Sequence, residues 1–180
     1  MDLQEQYLRE LKTLFWENNL NPDEYQLERL ANFAVLLAHK NTKVNLISRR
    51  DVEKIIENHI FISSFISEFL PTKISNFIDI GTGGGFPGIP LAITRPMLKG
   101  ILVDSTSKKI DAVKEFVNKL MLNNVIAENH RVESEEFQQK YINNFDLVVS
   151  RATVPLITLL NYALPLVKEK AYIASLKGGD

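Results

Sequence analysis

Apolar residues near the start of the chain recur three and four positions apart. Leu3, Tyr7, Leu8, Leu11, Leu14 and Phe15 fall on one helix face, which predicts a helix whose stripe packs into a core. Asn21-Pro22-Asp23-Glu24 then offers a cap, a proline at the first helical position and a glutamate at the third. A second helix is expected there, carrying Tyr25, Leu27, Leu30, Phe33, Ala34 and Leu37. Asp51 is expected to cap a third, with Ile55, Ile56, His59, Ile60 and Phe65 inside and Pro71 just past its end.

From residue 74 the period changes. Runs such as Phe77-Ile78-Asp79-Ile80, Gly100 to Asp104, Phe145 to Val149 and Ala171 to Ala174, with a weaker one at Val125-Ile126-Ala127, alternate with helical stretches. That rhythm requires crossover connections, hence an α/β fold with a mostly parallel sheet and helices on both faces. The expected division is a helical N-terminal segment over 1–72 packed on a Rossmann-like body over 73–180.

Composition narrows the chemistry. The 180 residues, 45% hydrophobic, suffice for one domain with a sizeable core. Lys and Arg total 21 against 22 Asp and Glu, which excludes a globally basic coat, so any polyanion must meet a local basic surface. The absence of cysteine removes disulfides, thiolate zinc sites, iron–sulfur clusters and a cysteine nucleophile. His39, His59 and His130 lack metal-ligand spacing and read as structural or surface residues, so no metal is expected. No apolar run reaches the roughly 18 residues of a membrane span, and Asp2, Glu5 and Glu10 give the N-terminus no signal-peptide character. A cytoplasmic protein without a membrane partner is expected.

The first strand runs into Gly81-Thr82-Gly83-Gly84-Gly85-Phe86-Pro87-Gly88, followed by a helix start. Strand, glycine loop and helix in a doubly wound sheet is where a nucleotide-like ligand sits. Gly83, Gly85 and Gly88 formally satisfy the dinucleotide fingerprint. Asp79, just before the loop, instead favours a ligand with an ammonium group, met directly or through water, and so S-adenosylmethionine. Asp104 ends the second strand 23 residues after Gly81, a spacing at which an acid accepts ribose hydroxyls. Glu133 after the third strand could orient adenine, and Arg151 places a cation at the end of the fourth.

These residues resemble a known family. FIDIGTGGGFPGIPL (Phe77 to Leu91), LVDSTSKK (Leu102 to Lys109), Arg131-Val132-Glu133, Ser150-Arg151-Ala152 and Lys177-Gly178 together look like the RsmG (GidB) family. Asn41, Asn45-Leu46 and His59 are similar to its N-terminal pattern, while Ile62 and His39 depart from the aspartate and tryptophan found there. The resemblance implies a class I S-adenosylmethionine-dependent methyltransferase that places a methyl on N7 of one guanine of 16S ribosomal RNA. Its cofactor contacts carry over to Gly81, Phe86, Val132, Glu133 and Arg151, beside Gly83 and Asp104 from the spacing argument. A complete fold of this class continues past the fifth strand with a helix and two more strands, so the C-terminal strands are expected to be missing.

N7 of guanine has an in-plane lone pair and no proton, so no acid–base residue is nominated and positioning carries catalysis. Lys40, Lys43, Arg49 and Arg50, with no acid among them, and Lys108-Lys109 beside the pocket are the candidate RNA contacts. The expected partner is 16S ribosomal RNA or the small ribosomal subunit, met by a monomer. A methyltransferase on a non-RNA substrate and a cofactor-binding module without catalysis remain the alternatives.

Overall fold

The computed structural model describes residues 2–151 and 153–177; Ala152 and Gly178, which belong to motifs quoted above, lie outside the described residues. Five strands, β1 (Asn76–Ile80), β2 (Lys99–Asp104), β3 (Val125–Asn129), β4 (Phe145–Arg151) and β5 (Val167–Leu176), form a parallel sheet in the order β3-β2-β1-β4-β5. Chain order reverses between β1 and β4, which opens a crevice at the carboxyl ends of those two strands.

Side chains alternate across the strands and feed two cores. Phe77, Leu102, Leu147 and Val149 face α4 (Gly88–Thr94) and α5 (Ser107–Lys119). Ile78, Ile80, Val103 and Val148 face the side holding Phe137 of α6 (Glu135–Lys140) and Leu159 of α7 (Leu156–Ala163). The N-terminal helices α1 (Leu3–Glu17) and α2 (Glu24–Asn41) join the first of these cores, so no separate core belongs to the helical segment. Leu30, Phe33 and Leu37 of α2 are fully buried, each contributing about 1.5–3 kcal/mol relative to exposure. Phe33 lies 5.2 Å from Phe86 and 5.6 Å from Phe116, ring centre to ring centre, so α2 braces both the glycine loop and α5.

The helix starts differ from expectation. Asp23, not Asn21, caps α2: its carboxylate accepts the Gln26 N–H at 2.8 Å and Gln26 Oε1 accepts the Asp23 N–H at 3.4 Å. Pro22 therefore precedes the helix, and Tyr25 is exposed. Asp51 caps nothing. It lies within a 3₁₀ stretch (Arg49–Lys54) followed by a π-helical turn (Ile56–Phe61), α3 (Ile62–Phe65) and a second 3₁₀ turn (Ile66–Phe69). Its carboxylate instead accepts from the side chains of Ser48 at 2.6 Å and Asn58 at 3.3 Å, contacts that hold a tighter and a wider turn side by side.

Candidate functional site

A cavity of about 590 Å³ opens at the crevice. Gly81, Gly83, Asp104, Val132, Glu133 and Arg151 all lie on its wall, brought together from the ends of β1, β2, β3 and β4. Its volume falls within the range of roughly 300–1,000 Å³ typical of small-molecule sites.

The loop is fastened from below. The N–H groups of Gly81 and Thr82 both donate to the Val103 carbonyl, at 2.9 and 3.0 Å. Gly81 has φ of 71°, and a Cβ there would collide with the Thr153 side chain. Gly83 has φ of 57°, yet a Cβ on it would meet nothing within 4 Å, because that position faces the cavity. A side chain at Gly83 would therefore intrude on a ligand rather than on the protein.

Asp104 Oδ2 accepts the Gly83 N–H at 2.9 Å and Oδ1 accepts the Thr106 N–H at 2.9 Å. One carboxylate thus joins the glycine loop to the end of β2, with lone pairs remaining for a ligand. Asp79 behaves otherwise and corrects the expectation that it meets an ammonium directly. It is fully buried, and its Oδ2 accepts from Thr82 Oγ1 at 2.7 Å and from the Gly88 N–H at 2.8 Å. Burial pushes its carboxyl up to about 8, so the buried acid organises the loop from beneath it.

Glu133 is exposed at the mouth, 3.7 Å from Arg131, and Val132 is buried at its base. Phe86 lies beneath the loop rather than on the cavity wall, between Phe33, the His59 ring at 5.3 Å and the Arg151 guanidinium at 5.8 Å. Arg151 spans from β4 to the π-helical turn, its Nη2 donating to the Asn58 carbonyl at 2.8 Å. Its Nη1 is buried without a partner among the described residues.

Of the basic residues, Lys109 lies on the cavity wall and Lys108 is exposed beside it. Lys43, Arg49 and Arg50 are exposed. Lys40 forms an ion pair with Glu115 of α5. Leu46, Thr153 and Tyr162 also line the cavity and were not among the expected contacts. Only Leu46 carried a signal, the Asn45-Leu46 pattern; Asn41 Oδ1 accepts the N–H groups of Leu46 and Ile47 at 2.8 and 3.0 Å and fixes that loop at the rim. His59 belongs to a buried cluster beside Arg151, which its spacing from other histidines did not reveal.

The cavity fits S-adenosylmethionine on its own geometry: glycine backbone as wall at Gly83, an acid at the end of β2, and the Arg151 side chain on the wall at the end of β4. The fold agrees. A SAM dependent methyltransferase from Aquifex aeolicus superposes with a TM-score of 0.54 at 19% identity, covering 72% of each chain. M. jannaschii TYW2, solved in complex with AdoMet, gives 0.55 at 18% identity over 73% of this chain and 54% of its own. The fold is the class I, Rossmann-like one of S-adenosylmethionine-dependent methyltransferases.

The particular family follows from sequence. Residues 26–180 match GidB, the rRNA small subunit methyltransferase G family, and the chain belongs to it. The Ribosomal RNA small subunit methyltransferase G of Chlorobium luteolum is 39% identical, covering 100% of this chain and 74% of its own length. That of Chlorobaculum tepidum is 43% identical, covering 86% and 69%. Among the described residues no helix is long and apolar enough to cross a membrane.

Proposed function

We propose that this chain transfers a methyl group from S-adenosylmethionine to N7 of a guanine in 16S ribosomal RNA of the small subunit. The observation that carries the reading is the family match over residues 26–180, whose cofactor motifs converge on one open cavity. When bound, S-adenosylmethionine supplies an electrophilic methyl on its sulfonium. Gly81 and Gly83 let the backbone approach the ligand, and Asp104 would accept from its ribose hydroxyls. Val132 and Glu133 would border its adenine, and Arg151 would donate to its carboxylate. N7 has no proton to lose, so the protein's task is to hold the reacting atoms in line and no base is needed.

Two basic groups support an RNA face: Lys43, Arg49 and Arg50 are exposed and lie in the chain on either side of Leu46, which lines the cavity, and Lys108 is the exposed neighbour of Lys109, which lines it too. A ribosomal RNA substrate goes with a cytoplasmic monomer, which sedimentation would check.

Calorimetric titration with S-adenosylhomocysteine against NAD, followed by methyl transfer to small-subunit RNA and mapping of the product, tests the reading. Tighter binding of NAD, or transfer only to substrates other than RNA, would defeat it. Reversing Lys43, Arg49 and Arg50 to glutamate is expected to lower RNA methylation at least about tenfold, with a shallower salt dependence and unchanged cofactor affinity. An unchanged rate and salt slope would place the RNA elsewhere.

A further inference from the structure

Arg151 reaches the cavity from β4, but what holds its guanidinium belongs to the N-terminal segment. Nη2 donates to the main-chain carbonyl of Asn58, within the π-helical turn. The Asn58 side chain donates in turn to Asp51 Oδ1 at 3.3 Å, and Ser48 Oγ donates to Asp51 Oδ2 at 2.6 Å. His59 packs between them, its Nε2 at 3.5 Å from Asp51 Oδ2 and its ring on Phe86. Burial and the neighbouring Arg151 charge hold that imidazole down to about 4, so at neutral pH it is uncharged and forms no ion pair with Asp51. Wide π-helical turns of this kind are frequent at functional sites.

We propose that Asp51 is a positioning residue for Arg151: by tethering the Asn58 side chain it fixes the Asn58 carbonyl, which holds Nη2 and so sets the guanidinium on the cavity wall to donate to the carboxylate of S-adenosylmethionine. This rests on the cofactor reading above. An arginine side chain has several rotatable bonds, and fixing it before the ligand arrives removes an ordering cost from binding. Sequence distance hides the arrangement, since Asp51 and Arg151 are brought together only by the packing of the irregular segment on the end of β4.

A double-mutant cycle read by calorimetric titration of S-adenosylhomocysteine, with thermal melts to confirm folding, tests it. Asp51→Ala is expected to weaken binding about three- to tenfold. Asp51→Asn, which keeps an acceptor for Asn58, is expected to stay within about twofold of the parent. In an Arg151→Ala background Asp51→Ala should cost nothing further. Asn58→Ala, which keeps the carbonyl and removes the tether, should match Asp51→Ala and replaces it if that variant does not fold. In methyl transfer Asp51→Ala and Asn58→Ala should raise KM for S-adenosylmethionine more than they lower kcat, while Asp51→Asn should stay near the parent in both. Equal losses in the parent and the Arg151→Ala background, equal losses for the alanine and asparagine variants, or no loss at all would each overturn the proposal. Failure of the parent itself to bind S-adenosylhomocysteine would instead overturn the cofactor reading, and it would show before any variant is made.

Discussion

The glycine loop and the stretch from Arg49 to Phe69 border the same buried cluster around Phe86, yet they are built in opposite ways. The loop is local: eight consecutive residues after β1 set the backbone, and Val103, Asp104 and Asp79 fasten it through a few hydrogen bonds. The irregular stretch passes through 3₁₀, π, α and 3₁₀ geometry in about twenty residues. Several of its polar groups pair with near neighbours and with a strand end far away in sequence, while His59 Nε2 and Ser63 Oγ are buried without a partner among the described residues. A binding loop can thus be written in a short motif, whereas the wall that orients a ligand is written in pairings between distant residues.

If the N-terminal helices were merely attached to the body, changing them would leave the loop alone. Phe33 links the two, since it is buried between Phe86 of the loop and Phe116 of α5. Phe33→Ala should therefore cost about 3–5 kcal/mol of stability by denaturant unfolding and also weaken S-adenosylhomocysteine binding. A loss of stability with parent affinity would separate the two regions that the shared core joins.

Gly83→Val acts on the loop alone. Its positive φ disfavours a β-branched residue, and its side chain would enter the cavity rather than the core. Cofactor affinity should fall at least about thirtyfold, or ~2 kcal/mol, with a smaller change in melting temperature. Gly83→Ala should fall between this variant and the parent. Parent-like affinity in the valine variant would mean that the ligand does not pass Gly83.

Much of this was readable beforehand, for physical reasons. The strands announced themselves as β-branched runs, and the loop as five glycines within eight residues at a strand end, because only backbone requirements were involved. Asp104 was legible through its fixed distance from the loop along a single crossover. The α2 cap was placed two residues early because Asn-Pro and Asp-Glu both satisfy the rule, and only the reciprocal Asp23–Gln26 bonds choose between them. The Lys40 ion pair was not legible because its partner Glu115 lies on another element. The His59 cluster was invisible because no spacing along the chain encodes it.

Buried charge offers a third comparison, between Asp79 under the loop and His59 in the irregular stretch. Asp79, pushed up to about 8, keeps in the folded state a proton that the unfolded chain releases near 3.8. Its contribution to stability therefore falls as pH rises from about 4 to about 8. His59, held down to about 4 against an ordinary 6.5, has the opposite sign. The unfolded chain takes up its proton first, so stability falls as pH drops from 6.5 towards 4. Between pH 6.5 and 8 only the Asp79 slope remains, at most about 1.4 kcal/mol per pH unit. Urea unfolding across that interval should show stability declining in the parent and less steeply in Asp79→Asn; identical slopes would remove the buried acid as the cause.

The smallest effect expected is at the α2 cap, and it distinguishes local from long-range control within the N-terminal segment. Asp23→Ala removes the acceptor for the Gln26 N–H while keeping the backbone N–H that Gln26 Oε1 accepts, for about 1 kcal/mol. Asn21→Ala should cost almost nothing, since no capping contact depends on it. Neither change touches the face of α2 that meets the loop, so S-adenosylhomocysteine affinity should stay at the parent value while the melting temperature drops for Asp23→Ala alone. Equal losses for the two substitutions would move the cap back to Asn21. A loss of affinity with Asp23→Ala would show instead that the start of α2, and not only its Phe33 face, is coupled to the cavity.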